Sequence, residues 1–159
     1  MHWFEPKPVF QPDPAVQVEL LRRALDRRAA DPALRERLGI ALIGAGDYAG
    51  AVGAFEAAAK TAPQRFGAWA SLADCYAQLQ RLDLALDACR RGEAQQPASA
   101  ALAAIHSRRG NILQMQGRNE QAEAAFRTAY ELGHVGALTE LLKALARKPG
   151  AEISPTSPT

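Results

Sequence analysis

Aromatic side chains are scarce in this chain, 6% of the residues, so its core cannot be built mainly from stacked rings. Two cysteines, Cys75 and Cys89, are too few for a disulfide framework. They read as two reduced, partly buried thiols. The three histidines, His2, His106 and His134, lie far apart and share no ligand spacing with cysteines or carboxylates, so no metal is expected. No serine or cysteine stands in a nucleophile turn, and neither a catalytic residue nor a cofactor is expected. No apolar run approaches the roughly 20 residues of a membrane span, and no basic-then-apolar leader opens the sequence. A cytoplasmic setting away from membranes is the expectation. A formal charge of +2 leaves no electrostatic footprint for nucleic acid. Alanine and leucine dominate and β-branched residues are few, the proportions of an all-α protein.

What the chain does have is a period. Leu38, Leu42, Ala51, Phe55 and Pro63 return at one constant spacing as Leu72, Tyr76, Ala85, Cys89 and Pro97. Gly110, Leu113, Gly117, Ala122, Phe126 and Ala129 continue the pattern at a slightly wider spacing of 37. A fixed period in this range marks stacked supersecondary units. Within each copy, apolar residues recur every three or four positions on both sides of a short polar break, which predicts two amphipathic helices joined by a tight turn. The run Ile43-Gly44-Ala45-Gly46-Asp47-Tyr48-Ala49 imitates a dinucleotide-binding turn. It follows a helical rather than a strand pattern, however, and the later copies lack the glycines, so that reading fails.

Taken in order, Pro6, Pro8 and Pro12 forbid a helix over 1–13, an extended arm whose Trp3, Phe4, Val9 and Phe10 are expected to pack on the domain or on a partner. Asp13-Pro14 starts a helix that carries Val18, Leu21 and Leu25 inward and Arg22, Arg23, Arg27 and Arg28 on a solvated face. Hairpins are predicted over about 32–65, 66–99 and 103–134, flanked by capping helices at 14–30 and 135–148. The polar, proline-rich stretch 149–159 is expected to be disordered.

These repeats resemble the tetratricopeptide repeat (TPR), a helix-turn-helix unit of about 34 residues. The first copy has Leu38-Gly39, the turn Gly46-Asp47-Tyr48, Ala51, Phe55 and Pro63. The second has Trp69 and Tyr76, with Cys89 where phenylalanine is usual. The third has Gly110, Gly117, Ala122, Phe126 and Ala129, with Arg109 where a buried leucine is expected and His134 in place of proline. The resemblance spans Pro32 to His134. It implies an α-solenoid of three repeats in which Gly39, Ala73 and Gly110 let paired helices approach at Ala51, Ala85 and Ala122. Trp69, Tyr76, Phe55 and Phe126 are expected to fill the space between hairpins, and His106, in the tryptophan position, to pack rather than to ligate.

The resemblance further implies an adaptor that binds an extended or helical segment of a partner protein along a concave face. In its register that face is lined by Glu36, Ile40 and Ile43, then Ala70, Asp74, Ala77 and Gln78, then Ser107, Arg108, Asn111, Gln114 and Met115, with Lys143 and Arg147 following. The amides can bond a peptide backbone of any sequence. Arg108, Lys143 and Arg147 are expected to favour partners with an acidic end. Of the places that clamp a C-terminal carboxylate in one TPR subclass, held here by Glu36, Ile40, Ser71, Ala104 and Arg108, only Arg108 matches, so that clamp is not expected. Cys75 and Cys89, on the two helices of one hairpin, have no activating cation beside them except Arg90 and Arg91 and read as core filler. A second reading is the helical accessory domain of a larger bacterial enzyme, a TPR-linked transferase or hydroxylase.

Overall fold

The structure, a computed structural model, describes residues 12–147. The expectations for the aromatic arm before Pro12 and for the polar tail lie outside the described residues. Eight helices follow one another, with no strand among the described residues: α1 (Pro14–Arg27), α2 (Pro32–Gly44), α3 (Tyr48–Thr61), α4 (Phe66–Gln78), α5 (Leu82–Ala94), α6 (Ser99–Met115), α7 (Asn119–Glu131) and α8 (Gly136–Ala146). The three hairpins are α2–α3, α4–α5 and α6–α7. The chain is an all-α stack of helix hairpins.

Local chemistry sets the starts and turns. Asp13 and Asp31 each precede a proline at the first helical position, and their carboxylates accept from Ala15 and from Ala33 and Leu34. Asp47 caps α3 by accepting from the Gly50 N–H at 2.8 Å. The three hairpin turns close with the same backbone bond. Asp47, Arg81 and Arg118 donate their N–H to the carbonyls of Leu42, Tyr76 and Leu113 at 2.8–2.9 Å. Such a closure puts one residue in the left-handed region. Gly46 (φ 79°) and Gly117 (φ 73°) fill it in the outer hairpins, while Gln80 (φ 59°) bears the strain in the middle one. The wider spacing of the third copy also has a local cause. Helix α6 runs for 17 residues where α2 and α4 run for 13, so the insertion adds about one turn to a first helix.

Helices α1, α3 and α5 begin at Pro14, Tyr48 and Leu82, one repeat period apart each time. Helix α1 therefore caps the stack in the register of a second helix, and it packs on α2 as α3 packs on α4. Helix α4 also touches α6, whereas α3, α5 and α7 make no comparable contact with one another, nor do α2 and α4, among the described residues. We call the side formed by the first helices the inner side.

Phe55 and Phe126 are fully buried, each with its ring against the glycine of its own hairpin's first helix, in core clusters that continue into the neighbouring helices. A Cβ built on Gly39 would stand 2.6 Å from the Phe55 ring, and one built on Gly110 would stand 2.5 Å from the Phe126 ring. Each ring lies flat against a bare backbone, and any side chain there would displace it. In the middle hairpin the same two positions hold Ala73 and Cys89, both buried. A larger residue on the first helix is matched by a smaller one on the second, as a core packed to crystal density requires. Ala51, Ala85 and Ala122, all fully buried, mark the close helix approach as expected.

Both thiols lie in this core, Cys75 fully buried and Cys89 at 2% exposure. Burial, helped by nearby carboxylates, raises Cys75 to about 11 and Cys89 to about 12 from an ordinary value of 9.0. Each is thus a protonated thiol, the opposite of an activated nucleophile.

Two outcomes follow from this core. Gly39→Ala should cost about 1–3 kcal/mol through overpacking, although alanine is the better helix former by about 1 kcal/mol. In a Phe55→Cys background the same change should be far less harmful, a coupling of about 0.5–3 kcal/mol read from urea titrations of the four proteins. Additive effects would mean that ring and glycine do not touch. Ellman's reagent should label neither thiol in the folded protein at pH 8 and both in guanidinium. Because the unfolded thiols ionise at the ordinary value and the folded ones only higher up, their contribution is complete below pH 9 and lost as pH rises towards 11–12. A melting temperature unchanged from pH 8 to pH 10.5 would contradict this.

Candidate interaction face

The inner side of the stack is built by α2, α4 and α6, whose packing stripes are fixed by the small residues Gly39, Ala73 and Gly110. Positions next to those residues on the helix surface turn towards the inside. Ile40, 62% exposed, lies at one end and Met115, 48% exposed, at the other. Between them Gln78 and Asn111 are exposed, Ile43, Ala77, Ser107 and Gln114 are half-buried, and Ala70 is buried. Ala70 therefore offers a ligand clearance rather than contact.

Two ion pairs staple neighbouring repeats on this side. Arg65, at the entrance of α4, grips Glu36 of α2 with Nε at 2.6 Å and a second nitrogen at 3.0 Å. That partnership raises the Arg65 guanidinium above its ordinary value. Arg108 of α6 holds both carboxylate oxygens of Asp74 on α4 at 3.0 and 3.1 Å through Nε. Asp74 and Arg108 thus pair with each other, and Glu36 is paired with Arg65 from outside the expected face. Lys143 pairs with Glu140 at 2.7 Å. Lys143 and Arg147, at the far end of the stack, are exposed.

The tryptophan position is filled three ways. Arg35 donates to the Ala57 carbonyl at 3.1 Å and to Thr61 Oγ1 at 2.7 Å, tying α2 to α3. Trp69 donates its indole N–H to the Pro63 carbonyl at 2.9 Å. His106 stands 3.7 Å from a carboxylate oxygen of Glu93, and burial holds its imidazole below the ordinary value, a neutral packing residue as expected. Arg109, in place of a buried leucine, reaches the same carboxylate at 3.4 Å.

The outer side carries a cleft of about 460 Å³ that sequence reasoning missed. It opens between α3 and α5 over Trp69, Leu72 and Tyr76 of α4. Arg91 lies 5.8 Å from the Trp69 ring centre, and the Tyr76 hydroxyl donates to Glu56. Burial first, then Glu56, pushes that phenol up to about 12. The available signal was the pair Ala59 and Ala88, too small to close the gap between second helices. No three histidine, cysteine or acidic residues among the described residues are placed to hold a metal. No described helix is long and apolar enough to cross a membrane.

Comparison with known proteins agrees with this architecture. No curated protein matches the sequence. Among solved structures, the MamA RS-1 ArsTM double mutant is 24% identical with a TM-score of 0.74, covering 86% of this chain and 76% of that one. A thermophilic TPR protein of Thermus thermophilus is 24% identical with a TM-score of 0.68, covering 82% and 73%. The first TPR of Spaghetti (RPAP3), bound to the HSP90 peptide SRMEEVD, is 20% identical with a TM-score of 0.65, covering 72% and 90%. The family model described as tetratricopeptide repeat matches residues 18–65 and 36–100, together just over half of the sequence, and the chain belongs to that family.

Proposed function

We propose that this chain is a protein-interaction adaptor that binds an extended or helical segment of a partner along the inner face of its first helices. The observation that carries the reading is the exposure of Ile40, Gln78, Asn111 and Met115 on one continuous side while the charges between them are paired with each other. Exposed amides can satisfy a peptide backbone, and Met115 can anchor an apolar side chain. The TPR fold is a scaffold for protein partners, and one neighbour holds a peptide. Because Arg108 already serves Asp74, the partner is selected by shape and backbone bonding rather than by an acidic tail. The buried, protonated thiols suit a reducing, cytoplasmic setting.

A photo-crosslinking residue at Asn111 or Gln78 should trap a discrete partner in cells, whereas one at Tyr130, exposed on the second helix α7, should not. Gln78→Ala with Asn111→Ala should weaken that partner about tenfold, at about 0.5–1.5 kcal/mol per lost amide bond. Crosslinks from Tyr130 alone would place the interaction on the outer side and overturn the proposal.

A further inference from the structure

Helix α1 stands in the register of a second helix, and among the described residues no first helix lies beside it. In α3 the stripe that meets its own first helix is Ala51, Ala54, Phe55 and Ala58, all buried. The residues one period earlier are Gln17, Leu20, Leu21 and Ala24. None of these four is buried, and Leu20 is 56% exposed. They form one wall of a cavity of about 570 Å³, and Leu34, Arg37 and Ile40 of α2 form the other. Leu34 is half-buried there, although its counterpart Ala68 is wholly covered. The cavity therefore occupies the position that a first helix takes in the later hairpins, and it reaches the end of the inner face at Ile40.

We propose that residues 1–11 of this same chain lie extended in that cavity and complete the hairpin. Pro12 itself lines the cavity, so the preceding residues start at its rim. The Gln17 side chain donates to the Pro12 carbonyl at 2.9 Å and fixes the direction in which the chain arrives. Pro6 and Pro8 prevent those residues from rebuilding a first helix, yet they pre-extend the segment and lower the entropy lost on docking. Eleven extended residues span about 34 Å, more than the roughly 21 Å length of α1. Trp3, Phe4, Val9 and Phe10 supply the apolar groups the cavity lacks, and Glu5, the segment's one carboxylate, complements Arg37, the cavity's one cation. The same occupancy covers the exposed Leu20 and Ile40. The segment shares only Ile40 with the inner face proposed above, and Gln78, Asn111 and Met115 lie outside the cavity.

The test uses the full chain with Trp69→Phe, which leaves Trp3 as the sole tryptophan. Subtracting the spectrum of Trp3→Phe from that of the wild type reads the same residue without altering Trp69. Trp3 emission should be blue-shifted and shielded from iodide. In Leu20→Ser with Ile40→Ser, substitutions at exposed positions, it should move to the value of free indole while the far-ultraviolet circular dichroism stays unchanged. Three results would overturn the proposal. They are hydrated emission in the parent, blue-shifted emission insensitive to the two cavity substitutions, and a blue shift that fades on dilution, which would assign the segment to a second copy.

Discussion

The contact on which this structure depends is an aromatic ring laid against a helix backbone that has no side chain. Gly39 under Phe55 and Gly110 under Phe126 allow the two helices of a hairpin to approach more closely than any Cβ would permit. Once that approach is set, the rotation of each helix about its axis is set too, because every other residue takes its place at multiples of about 100° from the glycine. The buried alanines Ala51, Ala85 and Ala122 follow from the same rotation, and so does the row of residues left on the inner face. In the middle hairpin the same two positions hold Ala73 and Cys89, both buried, so a larger residue on the first helix is matched by a smaller one on the second. A chain poor in aromatics can in this way close a stack of helices largely with alanine.

Charge has a different role in the stack. The pairs Arg65–Glu36 and Arg108–Asp74 each join consecutive repeats on the inner side. Partly exposed pairs of this kind contribute about 0–1 kcal/mol, too little to hold the repeats together against the apolar core. What they do control is the electrostatic character of the face. By neutralising its acids and its central arginine, they leave amides and apolar ends as the groups that meet a ligand. The outer cleft differs in this respect, since Trp69, Arg91, Tyr76 and Glu56 concentrate ring, cation and acid in one place.

The period made the fold legible, and helix ends predicted from Asp-Pro and glycine signals fall within a few residues of those observed. The contact of ring with glycine was not legible from the period, because a helical period says which residues share a stripe but not which side chain meets which backbone. The glycines at one fixed interval before Phe55 and Phe126 carried that information. Helix α1 holds Gln17 where the later copies hold alanine, which masks its place in the repeat. Asp13 and Asp47, one period apart and both N-caps, were the signal that it belongs to the repeat. The residues of the inner face were placed by register alone. Their charge pairing escaped notice because Asp74 and Arg108 are a whole period apart and meet only through the stacking of α4 on α6.

The measurement that bears most directly on the glycine-on-ring contact is the proton spectrum of the twelve glycines. A ring face a few ångströms away shifts a Cα proton strongly upfield. The account predicts that Gly39 and Gly110 alone show this shift, that each shares a nuclear Overhauser contact with the ring of Phe55 or Phe126, and that the shift vanishes in Phe55→Leu for Gly39 only. Ordinary shifts at both glycines, with the rings contacting residues of a neighbouring hairpin instead, would contradict it.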